Sequence, residues 1–224
     1  MSDRREVQWT IEKLKVEKVH GDYEIEMSEF DSCLFSLFKR NNYQRVLDLG
    51  CGKGKNSLIL AKNHQRVFAV DASLESLEKA KDKSIQENIG NIKFYNDSFT
   101  NLRFQDGGFD AVLCKSTLHH GTLKEIKQGI REVYLVLKQG GCFAFDMLSK
   151  EDESYGKGAL IEPHTFVGSR EGEKGVLHHY TDIKELKEVL TGFSSVEISI
   201  KLYIISVNGG KELTSKVYNI IAFK

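Results

Sequence analysis

The stretch Val46-Leu47-Asp48-Leu49-Gly50-Cys51-Gly52-Lys53-Gly54 decides the fold of this chain. Its first four residues form a short, mostly apolar run that is typical of a buried strand. Glycine then recurs at every second position, which lets the backbone turn sharply and approach a ligand closely. Residues 55–63 continue with helical spacing, so the loop leads into a helix whose first amides have no partner within the helix. This succession predicts a small-molecule site beyond the end of a strand in an open α/β sheet.

The alternation of strand and helix continues to the C-terminus. Strands are predicted at 46–49, 66–70, 92–95, 109–114, 142–145, 196–204 and 217–223, and helices at 55–63, after Ser73, at 123–137 and after Asp182. Such a rhythm is typical of right-handed crossovers and of parallel strands covered on both faces. The last two strands are joined by residues 205–216 and should pair antiparallel. The predicted fold class is therefore α/β, as a three-layer, doubly wound, mostly parallel seven-stranded sheet with an antiparallel last strand.

Two segments do not follow this rhythm. Residues 1–40 contain a helix near 27–38 with one apolar side, and they are predicted to form an N-terminal helical cap. Residues 149–181 are long, polar and glycine-containing, and they predict a lid-like loop, because long loops inside compact domains often cover binding sites. Residues 41–224 form the predicted ligand-binding domain that carries this loop.

Composition limits the classes of protein that the chain can belong to. The 224 residues are 40% hydrophobic and 29% charged, and 32 basic residues balance 32 acidic ones. The four cysteines show no Cys-x-x-Cys spacing, the N-terminus lacks the apolar region of a signal peptide, and no run approaches the ~18 apolar residues of a membrane span. We therefore expect a reduced, cytoplasmic protein without a metal site or a membrane association. The sequence does not indicate an oligomeric state.

Three nucleotide-type ligands compete for the glycine loop. A phosphate-binding P-loop needs Gly-Lys followed by Ser or Thr, whereas here Lys53 precedes Gly54 and Lys55 precedes Asn56. A dinucleotide fingerprint needs a small residue at Lys55 and would place a pyrophosphate near the carboxylate of Asp48, which would repel it. S-adenosylmethionine (SAM) carries a cationic amino group and a sulfonium, which the same carboxylate would attract. The charges favour SAM, with a nicotinamide-dependent oxidoreductase as the weaker alternative.

Polar residues also follow the next strands of the predicted sheet. Asp71, with Ala72 after it, ends the second strand, and its carboxylate can accept both hydroxyls of a ribose. Asp97 follows the third strand and can accept from an adenine amine. The predicted cofactor-binding residues are Asp48, Gly50, Cys51, Gly52, Gly54, Asp71, Ala72, Asp97, Ser98, Phe99 and Lys115.

Together these segments resemble the class I SAM-dependent methyltransferase family. The resemblance covers about residues 40–150, with 46–54 as the glycine motif, Asp71 as the ribose acid, Asp97 as the adenine contact, 109–120 as the strand-four motif and 137–141 as the turn before strand five. Residues 166–182 look most like small-molecule members of the tellurite-resistance type. The resemblance implies SAM as the cofactor and transfer of its methyl group to an N, O or S atom.

His119 and His120 follow the fourth strand, where the resemblance places the reactive methyl group. A histidine there can remove a proton from the attacking atom, and both are the predicted catalytic residues. The alternative is that they only pack or bond to the loop backbone, since methyl transfer from a sulfonium often needs only positioning. His178 and His179 can approach the same cleft. Asp71 can likewise serve only as a helix cap, and Asp97 only as a turn residue.

The acceptor is expected to be a small molecule. Base-N6 methyltransferases of the family need two prolines after strand four, yet Pro163 is the only proline, and no Pro-Cys pair of the cytosine-C5 type exists. The balanced charge also argues against DNA. An RNA or protein methyltransferase and a SAM-binding protein without turnover remain as alternatives.

Overall fold

The computed structural model describes residues 7–20, 28–63, 65–170, 173, 175–207 and 211–224. The helices are α1 (Glu29–Arg40), α2 (Lys55–Lys62), α3 (Leu74–Gln86), α4 (Leu123–Val136) and α5 (Ile183–Val189), with a 3-10 turn at Leu118–His120. The strands are β1 (Gln8–His20), β2 (Arg45–Leu49), β3 (Arg66–Asp71), β4 (Ile92–Asn96), β5 (Phe109–Cys114), β6 (Leu137–Ser149), β7 (Ala159–Glu162), β8 (Thr165–Val167), β9 (Leu177–Thr181), β10 (Ser195–Val207) and β11 (Lys211–Phe223).

The main sheet has the strand order β1-β10-β11-β6-β5-β2-β3-β4. Strands β2 to β6 are parallel to their neighbours within this group, whereas β11 runs antiparallel to both β6 and β10. All seven predicted strands are present, and the predicted fold class is confirmed. The parallel strands bring their carboxyl ends to one edge of the sheet, where β2 and β5 lie side by side.

Apolar side chains cover the sheet on two faces. On one face α4 contributes Ile130 and Val133 to a core that contains Phe143 and Phe145 of β6. On the other face α1 packs onto the sheet through three buried residues of one helix side, Phe30, Leu34 and Phe38. The layers are those predicted from the alternation of strand and helix.

The N-terminal segment is helical only in part. Helix α1 begins after Ser28, whose hydroxyl accepts from the backbone amide of Asp31 in a capping box, while Met27 lies outside the described residues. Residues 8–20, however, form β1 and pair parallel with β10, so the prediction of an entirely helical cap over 1–40 is wrong for them. Without β1, the edge of β10 would have unpaired backbone N–H and C=O groups, and β1 supplies their partners. Only the tertiary structure brings these two strands together.

The segment 149–181 is also more ordered than a loop. Its strands β7, β8 and β9 form a small antiparallel sheet, and the end of β9 pairs in parallel with the end of β6. Tyr180 is fully buried, and the buried carboxylate of Asp152 accepts from the Ser215 hydroxyl at 3.1 Å and from the Lys216 amide at 2.8 Å. The prediction of a lid-like loop is therefore corrected to a packed extension of the main sheet.

Candidate functional site

A cavity of about 390 Å³ lies at the carboxyl ends of β2, β3, β4 and β5. Its lining contains eight of the predicted site residues, namely Gly50, Gly52, Asp71, Ala72, Asp97, Ser98, Phe99 and His120. The prediction did not include the other four lining residues, Leu49, Val70, Ser116 and Thr117. The last two directly follow Lys115 and could have been found from their place after the fourth predicted strand.

The three glycines of the loop lack a side chain for different structural reasons. A Cβ on Gly50 (φ +75°) would lie 2.0 Å from Oγ1 of Thr117, and one on Gly54 (φ +81°) would lie 2.8 Å from Cβ of Ala80. Gly52 (φ +52°) has no atom within 4 Å of such a Cβ, and it lines the cavity. Protein packing thus requires the outer two glycines, whereas the middle one leaves bare backbone facing a space that a ligand can fill.

Asp71 ties the glycine loop to α3. Its Oδ2 accepts from the Gly52 amide at 2.8 Å and its Oδ1 accepts from the Ser73 amide at 2.8 Å. Ser73 itself caps α3, because its hydroxyl accepts from the Ser76 amide. Each oxygen of the Asp71 carboxylate has a second lone pair, so the structural contacts leave acceptor capacity for a ribose.

Asp97 makes the predicted turn contact. Its Oδ1 accepts from the Ser98 amide at 3.0 Å, and Oδ2 accepts from Nε of Arg103 at 2.8 Å. The Arg103 side chain is 72% exposed, so this ion pair is weak and screened by solvent. The neighbouring Phe99 ring is held at the cavity wall, since a Cβ on Gly129 of α4 would lie 2.7 Å from it.

Asp48, Cys51 and Gly54 are buried and do not line the cavity. Burial raises the pKa of Asp48 to about 6, although a hydrogen bond from the Ser57 hydroxyl at 2.5 Å partly offsets this. Burial likewise raises the pKa of the Cys51 thiol, which packs with Ala69 and Leu77. The predicted contact of these residues with the cofactor does not follow from their position, which is that of a support for the loop.

Lys115 also turns away from the cavity. Its ammonium lies 3.3 Å from the carboxylate of Asp146 and 3.7 Å from that of Asp31, on the side of the sheet that α1 covers. The prediction placed Lys115 at the cofactor because it follows a strand, but Lys115 does not line the cavity, whereas the next two residues do.

Comparison with known proteins identifies the domain. Residues 46–141 match the family described as "Methyltransferase domain". The uncharacterized methyltransferase YcgJ of Bacillus subtilis is 34% identical over 109 residues, which is 48% of this chain and 42% of that protein. A SAM-dependent methyltransferase structure from Methanosarcina mazei superposes with a TM-score of 0.66 at 26% identity, covering 83% of this chain and 96% of that one.

Residues 46–141 therefore resemble a methyltransferase domain, and the fold is that of a solved SAM-dependent methyltransferase. The resemblance seen in the sequence is thereby confirmed, and SAM is the cofactor of this family. This chain spans less than half the length of the first curated relatives that it matches. TehB of Haemophilus influenzae has the same fold, with a TM-score of 0.66, 86% of this chain and 62% of TehB covered, and 18% identity. At this identity the likeness shows the fold alone, and the tellurite-resistance branch stays a prediction.

The two predicted catalytic histidines differ in position. His119 is buried and does not line the cavity, and its Nδ1 has no hydrogen-bond partner within the described residues. His120 lines the cavity, with Nε2 at 2.9 Å from the Ser116 carbonyl oxygen and Nδ1 at 3.3 Å from that of Leu177. Burial, and then the neighbouring His178, lower the pKa of His120, while burial holds the pKa of His119 well below its usual value.

His178, one of the second pair of histidines in the sequence, lies beside His119 and His120. The His178 ring centroid lies 4.9 Å from that of His120 and 6.0 Å from that of His119. His178 Nε2 lies 2.5 Å from Oε2 of Glu173, although their orientation is not that of a hydrogen bond. His179 points elsewhere, toward Thr165 and Glu185 at 2.7 Å each.

In the part of the chain that the structure describes, no three His, Cys, Asp or Glu side chains converge as metal ligands would. None of the helices described is long and apolar enough to cross a membrane.

Proposed function

We propose that the protein is an enzyme that transfers the methyl group of SAM to an N, O or S atom of a small molecule. The observation that carries this proposal is the bare backbone of Gly52 beside the Asp71 carboxylate, both facing one cavity at the carboxyl ends of the parallel strands. Glycine at this position gives a ligand room against the backbone, and the acid beside it supplies acceptors for hydroxyl groups.

Different residues of the cavity would contact different parts of SAM. Asp71 would bind the ribose hydroxyls, the Asp97 to Phe99 segment would contact the adenine, and the glycine loop would hold the amino-acid end. When bound, SAM supplies an electrophilic methyl group on a sulfonium. The protein would align the acceptor with that group and exclude water, which is the main catalytic contribution expected for such a reaction.

The acceptor would enter at Ser116, Thr117 and His120, which line the same cavity. The balanced charge of the chain and the missing proline motifs argue for a small molecule rather than DNA. Curated relatives matched here include a glycine N-methyltransferase and a ubiquinone biosynthesis O-methyltransferase, both named for small-molecule chemistry.

His120 is the better candidate of the two predicted bases, because it lines the cavity. A neutral ring that donates from Nε2 to the Ser116 carbonyl has its lone pair on Nδ1. The neutral imidazole would take up the proton that the acceptor loses, and in the resulting imidazolium both ring N–H groups would face carbonyl oxygens. The proton balance of the reaction is then complete, with the proton held on His120 until it passes to solvent.

Calorimetric titration with SAM, S-adenosylhomocysteine (SAH) and NADH tests this proposal first. Micromolar binding of the adenosyl compounds, without binding of NADH, is expected. Transfer of a labelled methyl group from SAM to a panel of thiols, amines and phenols then distinguishes an enzyme from a SAM-binding protein without turnover. Binding of NADH alone would contradict the assignment of the cavity.

A further inference from the structure

Lys115 joins three elements that meet beside the cofactor cavity. Its ammonium faces Asp146 of β6 at 3.3 Å, Asp31 of α1 at 3.7 Å and Oδ1 of Asn219 of β11 at 3.4 Å, and it lies 4.8 Å from the centroid of the Phe30 ring. Only 16% of the side chain is exposed. A partly buried ammonium needs such partners, because desolvation alone would disfavour its charge.

The Asp146 carboxylate connects Lys115 to the cavity wall. Its Oδ1 accepts from the Ser116 amide at 2.6 Å. Ser116 has a φ of +48°, a conformation that costs free energy for a residue other than glycine and needs support from its surroundings. Thr117 comes next, and its hydroxyl lies 2.8 Å from the Lys115 carbonyl oxygen and 3.3 Å from that of Gly50, filling the space that the missing side chain of Gly50 leaves.

The Asp31 carboxylate connects the same ammonium to the start of α1. Its Oδ2 accepts from both the amide and the hydroxyl of Ser28 in the capping box, while Oδ1 faces Lys115. One ammonium therefore bridges a carboxylate that holds the N-terminus of α1 and a carboxylate that holds the strained turn at the cavity.

We propose that Lys115 is a positioning residue that couples the docking of α1 to the shape of the cofactor cavity. This inference rests on the proposed placement of SAM in that cavity. A ligand that stabilises the Ser116–Thr117 conformation also stabilises the ion pairs of Lys115 with Asp146 and Asp31, and therefore the docked position of α1. By linkage, docking of α1 raises the affinity for the ligand by the same factor.

The substitution Lys115→Met tests the coupling, since it keeps the length of the side chain and removes the charge. SAH affinity, measured by calorimetry, is expected to fall about tenfold, as judged from lost hydrogen bonds to charged groups. The matched control is Lys138→Met, which breaks another Lys–Asp pair on β5 and β6, that with Asp110 near the amino ends of these strands. This control should leave SAH affinity within about twofold.

Amide hydrogen exchange of residues 29–40 separates coupling from a merely structural role. SAH should slow the exchange of α1 in the wild-type protein and in Lys138→Met, but not in Lys115→Met, and Lys115→Arg should restore part of the response. Should Lys115→Met fail to fold, Asp31→Asn keeps the Lys115–Asp146 pair and is expected to remove the SAH-induced response of α1. A full response in either foldable variant would overturn the coupling, whereas absence of SAH binding to the wild-type protein would overturn the placement of SAM instead.

Discussion

The two walls of the cavity differ in how they are built. The cofactor wall comes from loops that directly follow β2, β3 and β4, with Gly52, Asp71 and Asp97 as its polar groups. The second wall comes from Ser116, Thr117 and His120, and residues from distant parts of the chain, Asp146 and His178, lie against it. The contacts that hold the cofactor wall join residues close together in the sequence. The shape of the second wall depends on side chains that only folding brings together.

The walls also differ in charge. Carboxylates with remaining acceptor capacity line or support the cofactor wall, whereas the second wall has the half-buried His120, with the buried His119 beside it, and both have lowered pKa values. A cationic cofactor suits the first wall, and an uncharged acceptor atom that loses a proton suits the second. The comparison therefore predicts that changes on the cofactor wall alter SAH binding, and that changes on the other wall alter turnover.

The largest expected effect belongs to the glycine loop. Gly50→Ala should lower SAH affinity by about 100-fold or more and reduce stability, because its Cβ overlaps Thr117 in addition to the strain of positive φ. Gly52→Ala should lose SAH affinity with a smaller loss of stability. Gly140→Ala is the matched control for strain, since Gly140 has the same φ of +75° as Gly50 and open space around it. Calorimetry and urea unfolding measure both properties, and equal stability losses in all three variants would contradict the packing argument.

Asp48 should make the stability of the cofactor wall depend on pH. Its folded pKa of about 6 lies above the ordinary value of 3.8, so its favourable contribution is full below pH 3.8 and is lost as the pH rises through 6. Between pH 4 and 7 the free energy of unfolding should fall by about 2 kcal/mol relative to Asp48→Asn. Urea unfolding of both proteins across this range measures the difference, and a difference that does not change with pH would mean that Asp48 is not buried as a neutral acid.

Asp71→Ala should weaken SAH binding by at least about tenfold, as expected for two hydrogen bonds to a charged group. Asp97→Ala should have a smaller effect, about threefold, because its carboxylate is shared with Arg103 and its own turn. Calorimetric titration of both variants with SAH gives the ratio of their dissociation constants. A larger effect at Asp97 than at Asp71 would place the main polar contact on the other loop.

His120→Gln should have the smallest effect on the cofactor, with SAH affinity within about twofold of the wild type, but it should reduce turnover. Since the pKa of His120 is lowered, the neutral base is present at pH 7 and is lost only below its ordinary titration range. The wild-type rate should therefore stay constant from pH 7.5 to about 6.5 and fall at lower pH. A His120→Gln rate with the same acidic limb would exclude His120 as the base.

The sequence was sufficient for the repeating part of the molecule. Hydrophobic periodicity located all seven predicted strands, and Gly50, Gly52 and Asp71 were expected at the cavity because parallel strands end at one edge. The sequence was not sufficient for the direction of single side chains. Asp48 and Lys115 were predicted at the ligand, but Asp48 bonds to Ser57 of α2 and Lys115 faces Asp31 of α1. Neighbouring positions at a strand end point to opposite faces, and an error of one position changes the contact.

By itself, therefore, the sequence indicated the resemblance to SAM-dependent methyltransferases, the positions of the seven strands and the edge of the sheet at which the cofactor is expected. These features depend on local periodicity and on short-range motifs. The tertiary structure alone decided that residues 8–20 extend the sheet, that 149–181 packs as strands, and that His178 rather than His179 joins His119 and His120. Such contacts join segments far apart in the chain, and their free energy depends on burial and geometry that exist only after folding.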